Sequence, residues 1–304
     1  MHFMLHTSIL QSASGFNICF FPLIVKLFVP NNQRRRLVKR SAFFCLCLAP
    51  CAFAAFEETT FGGRGGGTAG AAAASSWGAE SVFYNPAGLY SGRRFELVTA
   101  IYRPFELADV HAGLLAVAFC KGKTAVGFGT ALFGNPLYRE TQLTAAAAYR
   151  LKPFDFTFGA AARCGQVAVT NYGNAWAVMI DIGVQAALTP KLFWGTALSN
   201  LTGSRLGRCK EALPQSMRFG WIFQPREGLS LHAELYKDDR FPLDLRWGMA
   251  WRPCPALTFR AGAANQPRRY SLGLSLFIGS LRFDYAFMNH LELGGSHLIG
   301  FGWE

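Results

Sequence analysis

From about residue 95 to the C-terminus the chain repeats with a period of two. Leu281-Arg282-Phe283-Asp284-Tyr285-Ala286-Phe287 alternates without a fault, as does Leu243-Asp244-Leu245-Arg246-Trp247-Gly248-Met249-Ala250-Trp251. Leu229 to Leu235 and Tyr270 to Leu276 obey the same rule, and Val126 to Leu132 alternates large residues with very small ones. Successive side chains of a strand point to opposite faces. Each run therefore has one apolar or aromatic face and one face of Gly, Ala, Ser or charge. Hydrophobic residues make up 51% of the 304 residues and charged ones only 16%. Yet after residue 55 no stretch approaches the roughly 18 to 20 apolar residues that cross a bilayer as a helix. A soluble sandwich alternates too, but it does not turn large apolar side chains to one face of nearly every strand. The pattern predicts an all-β fold, a transmembrane antiparallel barrel with its apolar face in lipid. Disorder is excluded by the high hydrophobicity, and a collagen-like chain by glycines with no period of three.

Turn signals divide this region into fourteen expected strands, at about 95–103, 110–120, 124–133, 140–151, 154–168, 175–188, 191–201, 215–224, 229–237, 242–252, 257–264, 269–278, 281–288 and 296–303. The spacing suits tilted membrane strands of roughly 9 to 11 residues with short links. Every second connection is brief: Lys121-Gly122-Lys123, Lys152-Pro153, Thr189-Pro190-Lys191, Pro225 to Gly228, Arg252 to Pro255 and Gly279-Ser280. The intervening ones are expected to be mostly longer, as at Thr202 to Pro214 and Asn289 to Ser296. An even strand count closes the sheet with both ends on one side and removes the edges that lipid cannot satisfy.

The expected inward face is small at Gly127, Gly129, Ala131, Gly248, Gly273, Gly300 and Gly302, which predicts space in the lumen. It also carries Asp155, His232, Glu234, Asp244, Arg246, Arg282 and Asp284. Lone buried charges are costly, so pairing is expected, with Asp244 against Arg246 and Arg282 against Asp284 bracing the wall. A substrate-binding role for the same set is the less favoured alternative.

The net charge of +12 suggests a nucleic-acid partner only until it is divided. Lys26, Arg34, Arg35, Arg36, Lys39 and Arg40 precede Ala55 with no acid among them, which leaves +6, scattered, for the rest. No nucleic-acid partner is expected. Residues 1–54 read as a leader. Within it, 37–54 is a signal peptide, with Arg34 to Arg40 as its basic flank, Ser41 to Ala49 as a short apolar core and Ala52-Phe53-Ala54 as a small-residue exit. Residues 1–36 are an upstream extension: either translation begins at Leu37 or Val38, or Phe16 to Pro30 forms an extra anchor. Pro50 disfavours a lipoprotein reading at Cys51. Cys19, Cys45, Cys47 and Cys51 lie in the leader, and Cys120, Cys164, Cys209 and Cys254 beyond it. No spacing among them is of zinc type, so neither metal nor cofactor is expected. Disulfide pairing in an exported protein stays open.

Residues 55–94, FEETTFGGRGGGTAGAAAASSWGAESVFYNPAGLYSGRR after Ala55, break the rhythm and divide the leader from a barrel over 95–304. Ala69 to Trp77 is expected to form a short helix, and Asn85-Pro86 a turn. Such a segment can fold back into the barrel as a hatch or plug. Gly62 to Gly67 is not a phosphate-binding loop, because the only GKT, Gly122-Lys123-Thr124, has Val117 where the first glycine belongs.

Two elements of this segment carry a family likeness. Gly65-Gly66-Gly67-Thr68-Ala69-Gly70-Ala71 resembles the glycine/alanine-rich start of FadL-type outer-membrane proteins. Ser81-Val82-Phe83-Tyr84-Asn85-Pro86-Ala87-Gly88-Leu89 resembles the NPAGL element of their N-terminal hatch. The stretch from Tyr270 through Leu281–Phe287 to Leu293-Gly294-Gly295-Ser296-His297 is similar to the PorV/PorQ branch of that superfamily. The FadL likeness implies a fourteen-strand barrel with a hatch in the outer membrane of a diderm envelope. It also implies passive uptake of long-chain fatty acids or other hydrophobic small molecules. The hatch residues implied are Gly65, Gly66, Gly67, Asn85, Pro86, Ala87 and Gly88. The PorV likeness implies instead a non-transporting platform that docks secreted or periplasmic proteins. Two departures stand out: the connections are short, and the chain ends Phe301-Gly302-Trp303-Glu304 rather than on an aromatic. The glycines of 62–67 allow hatch movement or merely close packing, and the sequence favours neither. His111, His232, His290 and His297 come with no GxSxG or comparable signature, so no enzyme is expected.

Overall fold

In the computed structural model, residues 55–56, 62–75, 77–151, 155–208 and 210–304 are described; the leader with its signal peptide, and Cys209, lie outside them. The alternation closes into a barrel of fourteen antiparallel strands. In order they are β1 (Phe95–Tyr102), β2 (His111–Lys121), β3 (Thr124–Gly134), β4 (Tyr138–Leu151), β5 (Phe156–Val169), β6 (Gly173–Thr189) and β7 (Leu192–Ser199). A small hairpin, β8 (Arg205–Leu206) with β9 (Glu211–Ala212), interrupts the sequence in the connection that follows. The barrel resumes with β10 (Ser216–Arg226), β11 (Leu229–Asp238), β12 (Asp244–Cys254), β13 (Leu257–Asn265), β14 (Arg268–Ile278), β15 (Leu281–His290) and β16 (Gly294–Trp303). β7 pairs with β10, and β1 closes on β16 in the register Leu97↔Trp303 to Tyr102↔Leu298. The fourteen expected strands all form, each within a few residues of its expected bounds.

The expected asymmetry of the connections holds only in part. The strands run on into the expected loops, so β15 reaches His290 and β16 starts at Gly294. Residues 103–110 and 200–215 are the long connections that remain. β4, β5 and β6 have 14, 14 and 17 residues, whereas β7 has 8. The upper edge of β6 therefore outreaches its neighbour, and the 200–213 loop covers it. Leu201 N–H donates to the Ile180 carbonyl at 2.8 Å, and Ser204 Oγ to that of Val178.

The outer face is apolar over its whole height. Ile101, Leu115, Phe128, Val178, Trp247, Leu272 and Ile299 are 45–65% exposed. A water-soluble monomer rarely tolerates so continuous an apolar surface, and a barrel in lipid requires it. Exposed aromatics gather toward the rim of the short turns at Phe119, Tyr149, Phe158, Phe223, Trp251, Phe283 and Trp303. Trp176, Trp247 and Tyr270 stand nearer the other rim. Leu274 points outward at the middle of β14. Leu274→Arg is expected to destabilise the barrel by about 2–4 kcal/mol in urea unfolding from lipid vesicles, the cost of an arginine at the bilayer mid-plane. An unchanged midpoint would place that face elsewhere than in lipid.

Candidate functional site: the hatch inside the barrel

The described residues ahead of β1 lie against the inner wall. They include α1 (Gly63–Gly67) and two 3₁₀ segments, η1 (Gly78–Phe83) and η2 (Pro86–Leu89). Asn85 opens η2: its Oδ1 accepts from the Ala87 N–H at 3.0 Å, with Pro86 at the first helical position, where a missing N–H costs nothing. The expected helix over Ala69 to Trp77 is not formed. Ala69 and Gly70 take positive φ angles of 52° and 81°, and the Ala72 and Ala73 N–H groups donate to Glu234 Oε2, both at 2.7 Å, instead of to a helical turn. A carboxylate from the wall has replaced the local bonds that a helix needs.

The space left by the small inward residues is occupied by the segment ahead of β1. A Cβ on Gly159 would stand 2.3 Å from the Pro86 carbonyl carbon, and one on Gly273 would stand 2.8 Å from Gly67 Cα. Backbone approaches this close leave no room for a side chain on the wall. Gly127 and Gly129 make room instead for the side chains of Leu89, Val82 and Phe83. For α1 the structure favours close packing, because Gly63 meets Asp284, and Gly67 meets Arg260 and Gly273.

Two buried charge networks tie hatch to wall. In the first, Arg64 Nε donates to Glu80 Oε2 at 3.0 Å, and its Nη2 to Glu96 Oε1 and the Trp77 carbonyl, both at 2.5 Å. Glu80 Oε1 also accepts from the Gly65 N–H at 2.8 Å. Arg282 Nε pairs with Asp284 Oδ2 at 2.9 Å, and its Nη1 with Glu304, which Arg93 also holds, at 2.7 Å. Arg260 reaches Asp284 through Ser275. In the second network Glu234 Oε1 takes Arg218 Nη1 at 2.8 Å, while Arg246 Nε pairs with Asp244 Oδ2 at 2.7 Å. Arg218 Nη1 and Arg269 Nη2 donate onward to the Gly70 and Ala69 carbonyls, and Ser271 Oγ accepts from the Ala69 N–H at 2.9 Å. Gln185 Nε2 donates to the Ala73 and Ser75 carbonyls, and Asn85 Nδ2 to that of Ala73 at 2.6 Å. Buried ions of both signs offset one another's desolvation only as complete sets.

The six inward residues singled out in the sequence, His232, Glu234, Asp244, Arg246, Arg282 and Asp284, are all buried on the inner wall. Five belong to these networks. His232 stands apart, with Nε2 3.0 Å from Ser230 Oγ and its ring 6.3 Å from that of Trp77. Asp155 does not face the lumen; it is exposed in the β4–β5 turn and pairs with Arg150 at 2.5 Å. Arg64, Glu80, Glu96, Arg218, Arg260 and Glu304 escaped sequence reasoning. A single arginine within a run of glycines, and Arg218 at an inward position of its strand, were the signals available.

Above the hatch, toward the rim of the longer connections, a chamber of about 60 Å³ remains between Phe56, Phe83, Gln142, Thr144, Arg163 and Asp181. That is room for about two waters. Cys120, Cys164 and Cys254 are unbridged, and among the described residues no cluster of His, Cys, Asp and Glu could hold a metal ion.

Fold and site define a fourteen-strand barrel, apolar outside and stoppered from within by its own N-terminal segment. No protein-family model and no curated protein matches the sequence. Solved structures share the fold. The Ralstonia pickettii toluene transporter TbuX is 13% identical, over 80% of this chain and 98% of that one, with a TM-score of 0.61. The P. putida toluene transporter TodX is also 13% identical over 80% and 98%, with a TM-score of 0.63. A Pseudomonas aeruginosa FadL homologue is 14% identical over 80% and 95%, with a TM-score of 0.52. The chain thus has the fold of FadL-type barrels, and at these identities the likeness is one of fold.

Proposed function

We propose that this protein is a passive outer-membrane channel for hydrophobic small molecules in a diderm envelope, gated by residues 55–94. The carrying observation is an apolar barrel whose lumen is filled by a folded segment of the same chain, in a fold shared with two toluene transporters. Long-chain fatty acids and monoaromatic hydrocarbons are the two cargo classes this reading admits. The site residues proposed are the hatch elements Gly65, Gly66, Gly67, Asn85, Pro86, Ala87 and Gly88, with Glu234, Asp244, Arg246, Arg282 and Asp284 as the wall partners that hold them. A narrow open pore is ill suited to apolar cargo, since water-filled lumens favour polar solutes. A hatch that shifts against the wall offers a route without leaving a permanent water path. No part of the reading asks for catalysis.

Uptake of radiolabelled oleate and toluene by cells with and without the protein tests the reading. Deletion is expected to slow the entry of at least one of them, and re-expression to restore it. Unchanged uptake of both, with a stoichiometric secreted or periplasmic protein co-purifying instead, would replace the channel by a PorV-like platform.

A further inference from the structure

Ala55 and Phe56 occupy a pocket of their own inside the barrel. Both are buried, packed with Val167, Ala177 and Met179 of the inner wall and with Leu206 and Leu213 of the long connection. A Cβ on Gly165 would stand 2.6 Å from the tip of the Phe56 ring, so the wall is hollowed where that ring lies. The Phe56 N–H donates to Glu140 Oε2 at 3.0 Å, and the Tyr138 hydroxyl to Glu140 Oε1 at 2.6 Å. Glu140 is a buried residue near the start of β4, on the side of the longer connections.

The first residue of this pocket is also the first residue after the expected small-residue exit of the leader, Ala52-Phe53-Ala54. One residue of chain spans at most about 3.6 Å, so the Ala55 nitrogen lies that close to a nitrogen already bonded to Glu140. A peptide N–H at this place needs only a neutral acceptor. A freed amine brings a positive charge, and a buried charge is tolerated only beside an opposite one. Asp181, the acid that lines the chamber beside Phe56, is committed elsewhere: Arg163 Nη2 and the Asn200 N–H both donate to its Oδ1 at 2.7 Å. The carboxylate beside the Ala55 nitrogen is that of Glu140.

We propose that a signal peptidase removes the leader between Ala54 and Ala55, and that the new α-ammonium of Ala55 pairs with Glu140 inside the lumen. Hydrolysis breaks the amide bond between the two alanines. The Ala54 carbonyl takes the water oxygen and leaves as a carboxylate, and both water protons go to the Ala55 nitrogen. Before cleavage that nitrogen is a neutral amide, so processing itself creates the ion that fixes the free end of the hatch. The Arg64 network holds the segment further along. The inference rests on the expected signal peptide and on the hatch lying in the lumen, and is independent of the cargo.

The full chain, expressed with its leader in a diderm host and extracted from the outer membrane in neutral detergent, supplies the readouts. Mass spectrometry of the N-terminal peptide is expected to find it beginning at Ala55. An amine-reactive acetylating reagent should label that α-amine far more slowly in the folded protein than after urea unfolding. Glu140→Gln keeps an oxygen for the Phe56 N–H and removes the charge. It should speed labelling of the folded protein by about tenfold to a hundredfold, the worth of a hydrogen bond to a charged group. Glu106→Gln, at an exposed carboxylate in the β1–β2 connection, should leave the rate unchanged. Heat-modifiable migration on gels identifies the folded form of each variant. A second route leaves Glu140 in place: the α-amine is acetylated in the unfolded chain, which removes its charge, or dimethylated, which keeps it. After refolding, the acetylated chain should exchange the Phe56 amide hydrogen faster. A mature chain that starts at another residue would overturn the proposal, as would an α-amine labelled equally fast folded and unfolded. Labelling that stays slow in Glu140→Gln, or equal exchange in the two modified chains, would mean that burial alone shields the amine and would remove the ion pair.

Discussion

Replacing Arg64 by methionine is expected to release the hatch while the barrel stands. Methionine fills similar volume but removes the cation that Glu80 and Glu96 share, leaving Glu96 only Arg282 at 3.6 Å, and takes the donor from the Trp77 carbonyl. Breaking a buried ion pair by removing one partner costs about 3–5 kcal/mol. The barrel itself keeps its full ladder, so the loss falls on the smaller unit, whose local opening free energy is the lower. Hydrogen exchange of residues 62–94 should therefore accelerate by roughly a hundredfold to a few thousandfold, given tenfold per 1.4 kcal/mol. Strand amides at the centres of β4 to β6 should keep their rates. Arg64→Met with Glu80→Gln should recover part of the loss, because one of the stranded charges is then gone. Uniform acceleration of hatch and strands would mean that Arg64 braces the barrel rather than the hatch. No change at all would mean that the hatch is held by its packing alone.

A second large effect is expected from one added side chain on the wall. Gly159 lies under the Asn85-Pro86-Ala87 turn, and a Cβ there would stand 2.3 Å from both the Pro86 carbonyl carbon and the Ala87 nitrogen. Backbone cannot yield as the end of a flexible side chain can, so Gly159→Val must push η2 off the wall. Overpacking of this kind costs about 1–3 kcal/mol even where neighbours can adjust. The expected outcome is a folded barrel with faster exchange at residues 85–89 and a higher leak conductance in planar bilayers. Ala160→Val adds its bulk to the neighbouring outward position, which is exposed, and should alter neither. Equal behaviour of the two variants would contradict the close approach of η2 to β5.

Strand count, strand bounds and the direction of each face were legible in the sequence, because period-two alternation is a local property imposed at each residue by lipid on one side and the lumen on the other. Tyr270 to Leu276 could be assigned to its two faces by inspection, and the structure places Tyr270, Leu272, Leu274 and Leu276 outside with Ser271, Gly273 and Ser275 within. The pairing of hatch residues with wall residues was not legible. Gly159 and Gly273 read as small, and small reads as space; that Pro86 and Gly67 fill the space is a fact about residues far away in sequence. The alanine-rich stretch from Ala69 has the local propensity of a helix, but Glu234 takes the N–H groups that a helix would use. Asp155 shares the inward parity of Thr157 and Gly159, but it precedes β5 in a turn, where alternation no longer fixes the side chain's direction. Arg64 carries no periodic signal at all. Its role comes from Glu80 and Glu96, neither of which could be paired with it without the fold.

The central claim is that the N-terminal segment sits inside a closed barrel, and a cross-link measures it most directly. A Cβ at Gly66 would lie 3.4 Å from Ala286 Cβ on the inner wall of β15, close to the separation a disulfide spans. In protein reconstituted in lipid vesicles, with the native cysteines replaced by serine, Gly66→Cys with Ala286→Cys should oxidise to an internal disulfide. Gly66→Cys with Tyr285→Cys, whose side chain faces outward, should not. Failure of the first pair to link, with the residue-66 thiol open to a membrane-impermeant reagent, would put the hatch outside the barrel and contradict the account.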